Sequence, residues 1–378
     1  MSTERPESSR PLEWTTDHVP GHGQYPYHAH ASLAFPVNAQ SMSFWTEGSL
    51  AHGSFEVSQV DGEVRTDALV DVDVWYKVEE ALDPARAAVN HVHFPGNKHG
   101  LQIVTPHAHH GDERYQLRFR LRLILPRVTT NTQTPLMINS LTTQLPQFSH
   151  HISQLADGTV FKHVALASTN AAVRVDSVNI NVGTIRTSNA SIAGNFAATQ
   201  SLSLATQNGA ILADVALPDE GGRGTGGGPS LTMHTSNAEI RSGIILSTGS
   251  LRASGSGGTF RVQARTANGP VELSFPHAPA NSLLNVSASS ANAPVRITTH
   301  PAFEGTFDVQ STWFTPPSVV QGGPAEDPLG RRRRRDVRMD NSHRGVVRGQ
   351  VAWEPRDPDA KQGRIVAQTS NAPAVLIL

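Results

Sequence analysis

Thr187-Ser188-Asn189-Ala190-Ser191-Ile192 and Thr235-Ser236-Asn237-Ala238-Glu239-Ile240 are two copies of one short pattern, and it decides how the second half of the chain reads. Its asparagine recurs as Asn170, Asn189, Asn208, Asn237, Asn268, Asn292 and Asn371. Two positions before each stands a hydroxyl residue: Ser168, Thr187, Thr206, Thr235, Thr266, Ser290 or Thr369. The next position is always small (Ala171, Ala190, Gly209, Ala238, Gly269, Ala293, Ala372). Three positions after the asparagine come Val173, Ile192, Ile211, Ile240, Val271, Val295 and Ala374, and four before it Leu166, Ile185, Leu204, Met233, Ala264, Ala288 and Ala367. The unit reads as strand, tight turn, strand. Asparagine suits such a corner because it tolerates left-handed backbone and its side chain bonds neighbouring backbone groups, while the small residue beside it permits close approach.

Two architectures fit the unit. In a β-solenoid of about seven repeats each copy is one coil, the asparagines stack into a ladder and the apolar positions line a continuous core. In a meander or β-sandwich each Asn-Ala or Asn-Gly is a two-residue hairpin turn. Recurrence of the hydroxyl and apolar positions at every corner favours the solenoid, because a meander has less reason to repeat side chains at each turn.

Working outward, residues 38–135 are expected to form an N-terminal β cap and 136–378 the repeat domain. Strands are expected at Ser54–Val60, Val64–Val78, Leu101–Thr105 and Tyr115–Pro126. In the last of these Leu117, Phe119, Leu121 and Leu123 face one way and Arg118, Arg120 and Arg122 the other, which is the alternation of a strand with one wet face. Residues 1–37, rich in Pro, His and Ser, lack hydrophobic periodicity and are expected to be disordered. Towards the end, Gly305–Phe314 and Gly345–Trp353 are expected to pair, separated by a mobile basic loop at 316–341.

A formal charge of −1 and a pI near 7.0 give no global field to draw the protein to nucleic acid or an anionic membrane. The absence of cysteine removes disulfides and thiolate chemistry. No apolar run is long enough for a spanning helix, and none follows a basic stretch at the start as in a signal peptide, so the default expectation is a cytoplasmic protein.

The repeated T-S-N-[AG]-x-[IV] unit, together with the Arg118–Pro126 segment that ends a strand in Leu-Pro, resembles the fungal branch of the putative-adhesin family of unknown function, over roughly residues 40–378. The resemblance implies a β-solenoid-like fold and no established catalytic residues. It therefore points to a non-enzymatic structural or interaction scaffold, without cofactors, whose partner is an unknown protein or glycan.

Three sets of residues could carry chemistry of their own. His91 and His93, alternate on one strand, could ligate a metal with His107 or His109 as a third imidazole. Asp176 and Asp214 each lie six residues after a corner asparagine. Stacked two coils apart at about 4.8 Å per coil, they would stand roughly 9 to 10 Å apart, at the upper end of the range for an inverting glycosidase pair. Arg331, Arg332, Arg333, Arg334, Arg335 and Arg338 form a basic patch suited to phosphate binding or nuclear import. The simpler readings are a polar loop, a polar ladder and a solvated loop. The glycine-rich stretch 221–228 lacks the Lys-Ser/Thr of a phosphate-binding loop, and no Gly-x-Ser-x-Gly or His-Glu-x-x-His motif occurs.

Overall fold

A computed structural model describes the chain except residues 1–4, 19–24, 61–66, 108–111, 128–133, 222–226, 250–256, 313, 324 and 358–359. The described residues are nearly all strand, joined by turns and two short 3-10 segments. They fall into two compact units. Unit one holds Met1–Ile180 with Thr184–Thr187, and unit two holds Asn181–Gly183 with Ser188–Leu378. The division lies well past the 135/136 boundary expected from the onset of the repeats.

Unit two is built from two parallel ladders. In one, Ser230–His234, Thr259–Arg265, Leu283–Ser290 and Gly363–Thr369 pair in parallel in that order. In the other, Ile211–Asp219, Ile240–Thr248, Val271–His277, Val295–Thr298 and Ala374–Ile377 do the same. Within these ladders each strand pairs in parallel with its equivalent in the next copy, and the long strand Ile192–Ala205 pairs in parallel with Ile211–Asp219 as well. That is a solenoid-like arrangement, and the corner is not a hairpin turn.

The side chains explain the register. Ile211, Ile240, Val271, Val295 and Ala374 are buried, as are Leu204, Met233, Ala264, Ala288 and Ala367, so the positions flanking each corner make two columns of the core. The hydroxyl between them is buried too and must find a hydrogen-bond partner. Thr206 Oγ1 donates to the Ala190 carbonyl (3.2 Å), Thr235 to that of Gly209 (3.0 Å), Thr266 to Ala238 (3.2 Å), Ser290 to Gly269 (2.9 Å) and Thr369 to Ala293 (3.2 Å). Each reaches the corner of the preceding coil.

The asparagines form a second, exposed chain of bonds. Nδ2 of Asn208 donates to Oδ1 of Asn189 (2.8 Å), and the relay continues through Asn237 (2.6 Å), Asn268 (2.7 Å), Asn292 (2.7 Å) and Asn371 (2.6 Å). None of these asparagines has positive φ; among the described non-glycine residues only Asn97, Asn281 and Arg332 do. The expected reason for asparagine, tolerance of left-handed backbone, is therefore replaced by another: the amide carries a donor and an acceptor and can sit in a ladder indefinitely. The small neighbour serves close approach, since a Cβ on Gly209 would collide with the carbonyl oxygen of Ala190.

Two expectations change. The segment 316–341 contains Ser318–Val320, parallel to Ala374–Ile377, and the first part of Arg334–His343, which runs antiparallel to Val346–Glu354. Val346–Glu354 in turn pairs with Gly305–Gln310. At the other end, residues 1–37 include the strand Tyr27–Pro36, antiparallel to Asp67–Tyr76 along its whole length. Its inward residues are mostly Ala29 and Ala31, with Phe35, so the apolar alternation is real but faint by composition.

In unit one, Tyr27–Pro36, Asp67–Tyr76 and Leu117–Pro126 are antiparallel, after which Ala51–Val60 and Phe148–Gln154 add in parallel. Val70, Val72, Val74, Phe119, Leu121, Leu123, Phe55 and Val57 fill the inner side. Within it lies His150, 1% exposed, bonded through Nε2 to Thr143 Oγ1 (2.8 Å) and through Nδ1 to the Phe148 carbonyl (3.1 Å). The carbonyl makes Nδ1 the donor, so Nε2 accepts from the threonine.

Two predictions follow from this packing. Gly209→Ala should destabilise the protein by about 2–3 kcal/mol, since the obstacle is backbone, and Asn237→Ala by about 1 kcal/mol; equal losses in chemical denaturation would contradict the corner account. Burial pushes the His150 pKa from 6.5 down to about 4, so the unfolded chain takes up the proton first. The stability of unit one should be full above pH 6.5 and fall by about 3 kcal/mol towards pH 4. In His150→Gln that part of the pH dependence should vanish.

Candidate functional site

The outward side of the unit-one sheet is polar, and the register brings its side chains into rows. Trp75, Arg118 and His52 lie side by side across three strands. Asp73, Arg120, Ser54 and Ser149 make the next row, and Asp71, Arg122, Glu56 and His151 a third. Over the first two rows opens a groove of about 740 Å³, walled by Tyr25, Trp75, His52, Arg118, Arg120, Gln147 and Ser149. Its floor is formed where Gly53 lies directly against Phe119; a Cβ on Gly53 would strike the Phe119 carbonyl oxygen.

The charges within these rows are unevenly matched. Arg122 meets Asp71 (3.3 Å) and Asp73 (3.4 Å), and Asp73 also accepts from His28 and His30 (both 3.1 Å). Arg120 meets Glu56 (3.2 Å). Arg118 is exposed and makes no ion pair among the described residues. Burial pulls the His52 pKa down, and the charges of Arg118 and Lys77 add to that, against a hydrogen bond the ring donates to the backbone of Leu50. The His52 imidazole is thus neutral at pH 7. Trp75 is held by His28, whose ring stacks on it at 5.0 Å.

The residues singled out in the sequence lie elsewhere. His91 and His93 project from Ala88–Phe94, but the third imidazole beside them is His99 on the facing strand. His91 Nε2 is 3.3 Å from His99 Nδ1, and His93 pairs with Glu7 (3.2 Å). Burial lowers the pKa of His91 and of His99, and their mutual proximity with His93 lowers it further. His107 is exposed on the segment after Lys98–Val104, and His109 lies outside the described residues. Among the described residues no group of three His, Cys, Asp or Glu is disposed to hold a metal ion.

Asp176, in unit one, accepts from His151 (3.0 Å) and Arg174 (3.4 Å). Burial pulls its pKa up, but the bonds and charges of His151 and Arg174 outweigh this and hold it below the ordinary carboxylate value. Asp214, in unit two, accepts from the backbone N–H of Gly243 (3.2 Å) and stands in register with Asn195. Each carboxylate is engaged within its own unit.

The basic run is dispersed instead of forming a solvated patch. Arg333 is buried against Asp327 (2.8 Å) and Glu304 (3.5 Å), and its guanidinium holds Asp327 well below the usual carboxylate range. Arg331 pairs with Asp357 and Arg338 with Asp336 (2.8 Å). Arg335 is half-buried, leaving Arg332 and Arg334 exposed. Of the contiguous arginines only Arg334 and Arg335 lie in the strand Arg334–His343, where alternation turns them to opposite sides.

No family model matches the chain, and no curated protein matches it. Among solved structures, it is similar to a putative cell adhesion protein from Clostridium sporogenes, at 7% identity over 92% of this chain and 97% of that one, with a TM-score of 0.17. It is similar also to a putative adhesin from Bacteroides fragilis (11% identity, 68% of this chain and 97% of that one, TM-score 0.29). A putative adhesin from Parabacteroides merdae matches at 13% identity over 72% of this chain and 99% of that one, with a TM-score of 0.21. At these scores the names describe those proteins alone.

The burial of Arg333 yields a test. Arg333→Ala should cost about 3–5 kcal/mol because it leaves Asp327 and Glu304 unpaired. Arg332→Ala and Arg334→Ala should stay within about 0.5 kcal/mol of the parent in urea denaturation. A mild loss in Arg333→Ala would show that its ion pairs are not structural.

Proposed function

We propose that this chain is a non-enzymatic, adhesin-like interaction scaffold, and that it holds its partner on the polar face of unit one. The observation that carries the reading is the groove: an open concavity with two aromatic side chains, a neutral imidazole, hydroxyl and amide groups and a guanidinium without a carboxylate partner among the described residues, set mostly on paired strands. Binding sites combine apolar or aromatic walls with a few fixed polar groups in this way. The resemblance of the corner unit to an adhesin family agrees with it.

The alternative of a carbohydrate-active enzyme rests on Asp176 and Asp214, and their present bonds favour structural roles. Asp176 is matched by a histidine and an arginine, and Asp214 braces the backbone of the next coil. An inverting enzyme needs one carboxyl group kept protonated near neutral pH, whereas Asp176 is shifted the opposite way.

The reading predicts saturable binding of an oligosaccharide or protein partner by the full chain, weakened at least tenfold in Trp75→Ala with the circular dichroism spectrum unchanged. Saccharides recovered after long incubation should keep their length. Cleavage by the parent but not by Asp176→Asn would replace the scaffold with the enzyme, and undiminished binding by Trp75→Ala would move the site off this face.

A further inference from the structure

We propose that the unit-one groove takes a sugar bearing one anionic substituent, carboxylate or sulfate, with the sugar ring against Trp75 and Tyr25 and the anion on Arg118. The inference rests on the reading of the groove as the binding surface and adds the chemistry of what it holds.

The argument begins with the three arginines that alternate along Leu117–Pro126. They share a face and differ in their partners. Arg122 is answered by two aspartates and Arg120 by Glu56, while Arg118, at the mouth of the groove, is answered by no carboxylate among the described residues. A nearby second cation, Lys77, has its ammonium 5.6 Å from the Tyr25 ring and, among the described residues, donates to the carbonyl of Glu113 (3.4 Å). The groove therefore carries a local positive charge on a chain whose net charge is −1. A guanidinium presents a planar fork of donors that matches a carboxylate or sulfate in two parallel bonds.

The remaining lining selects a ring with hydroxyl groups over an extended peptide. Trp75 is fixed by the stacked His28 ring, and an immobilised aromatic face offers apolar area at low entropic cost. Ser54, Ser149 and Gln147 supply donors and acceptors along the opposite wall. A peptide would gain most by adding a strand to a free sheet edge. Here every strand beneath the groove is paired on both sides: Asp67–Tyr76 lies between Tyr27–Pro36 and Leu117–Pro126, and Ala51–Val60 between Leu117–Pro126 and Phe148–Gln154. Phe148–Gln154 is flanked in turn by Val173–Arg186. An anion placed on Arg118 also relieves the electrostatic pressure on His52, so its imidazole reports occupancy.

The test is calorimetric titration of the full chain with 3′-sialyllactose, lactose 3′-sulfate, lactose and an Asp/Glu hexapeptide, with the His52 ring followed by NMR. At least one anionic sugar should bind tenfold or more tightly than lactose, raise the His52 pKa and lose that advantage in Arg118→Gln. The same variant should unfold at the parent temperature, because Arg118 is exposed and makes no ion pair among the described residues, and the anionic sugar that binds identifies the substituent. Equal affinity for lactose, or an Arg118→Gln variant that keeps the preference, overturns the inference and leaves the binding surface in place. A hexapeptide that binds more tightly than every sugar overturns it in favour of a protein partner. Absence of binding by all four probes overturns this inference, whereas the proposed function stands or falls on the Trp75→Ala comparison.

Discussion

The hydrogen bond from a buried hydroxyl to a corner carbonyl of the preceding coil is the constraint on which unit two depends. A threonine or serine oxygen placed in a core is costly unless it is bonded, and here the available acceptors belong to the previous corner. That requirement fixes the rotation and the height of each coil together. Once they are fixed, the apolar positions on either side of the corner fall above their equivalents, the parallel ladders form in register, and the asparagine amides meet edge to edge along the outside. Slipping one strand by a residue would expose a core column and orphan a hydroxyl at once, so the register is specified twice.

Unit one solves a different problem with similar strands. Its antiparallel pairs bring three charged and aromatic rows onto one face, while valine, leucine and phenylalanine fill the other. The polar groups there are not dispersed as on an ordinary wet surface. Asp71, Asp73 and Glu56 compensate Arg122 and Arg120 in a network that leaves one guanidinium and one tryptophan facing an open groove. Because every strand under the groove is paired on both sides, its backbone geometry is fixed, and a fixed surface binds at a low ordering cost.

The architecture was largely legible in the sequence because it is written in repeated residues. Val or Ile three after Asn, and an apolar residue four before it, mark the core columns, whereas nothing in the pattern shows that the Ser or Thr two before Asn is buried. What could not be read was pairing direction outside the repeats. The alternation of Tyr115–Pro126 exposed the face of Arg118, Arg120 and Arg122, yet nothing local shows that Trp75 and His52 lie beside Arg118, because they are 43 and 66 residues away in the chain. The contiguous arginines hide their partners for a related reason: Arg333 is buried by Asp327 and Glu304, and charge density along a sequence says nothing about compensation across the fold. That His99 and not His107 stands beside His91 is likewise hidden, because their contact is cross-strand.

The proposed site lies outside the regular repeats, on a unit-one face where Arg118 meets no carboxylate among the described residues. The most direct measurement is a crystal structure of the full chain grown with 3′-sialyllactose. The account predicts the sugar ring over Trp75 with its carboxylate on Arg118 and the supporting strands unmoved. Sugar bound on another face, or a rearranged groove in which Arg118 turns to a carboxylate of the protein, would contradict it.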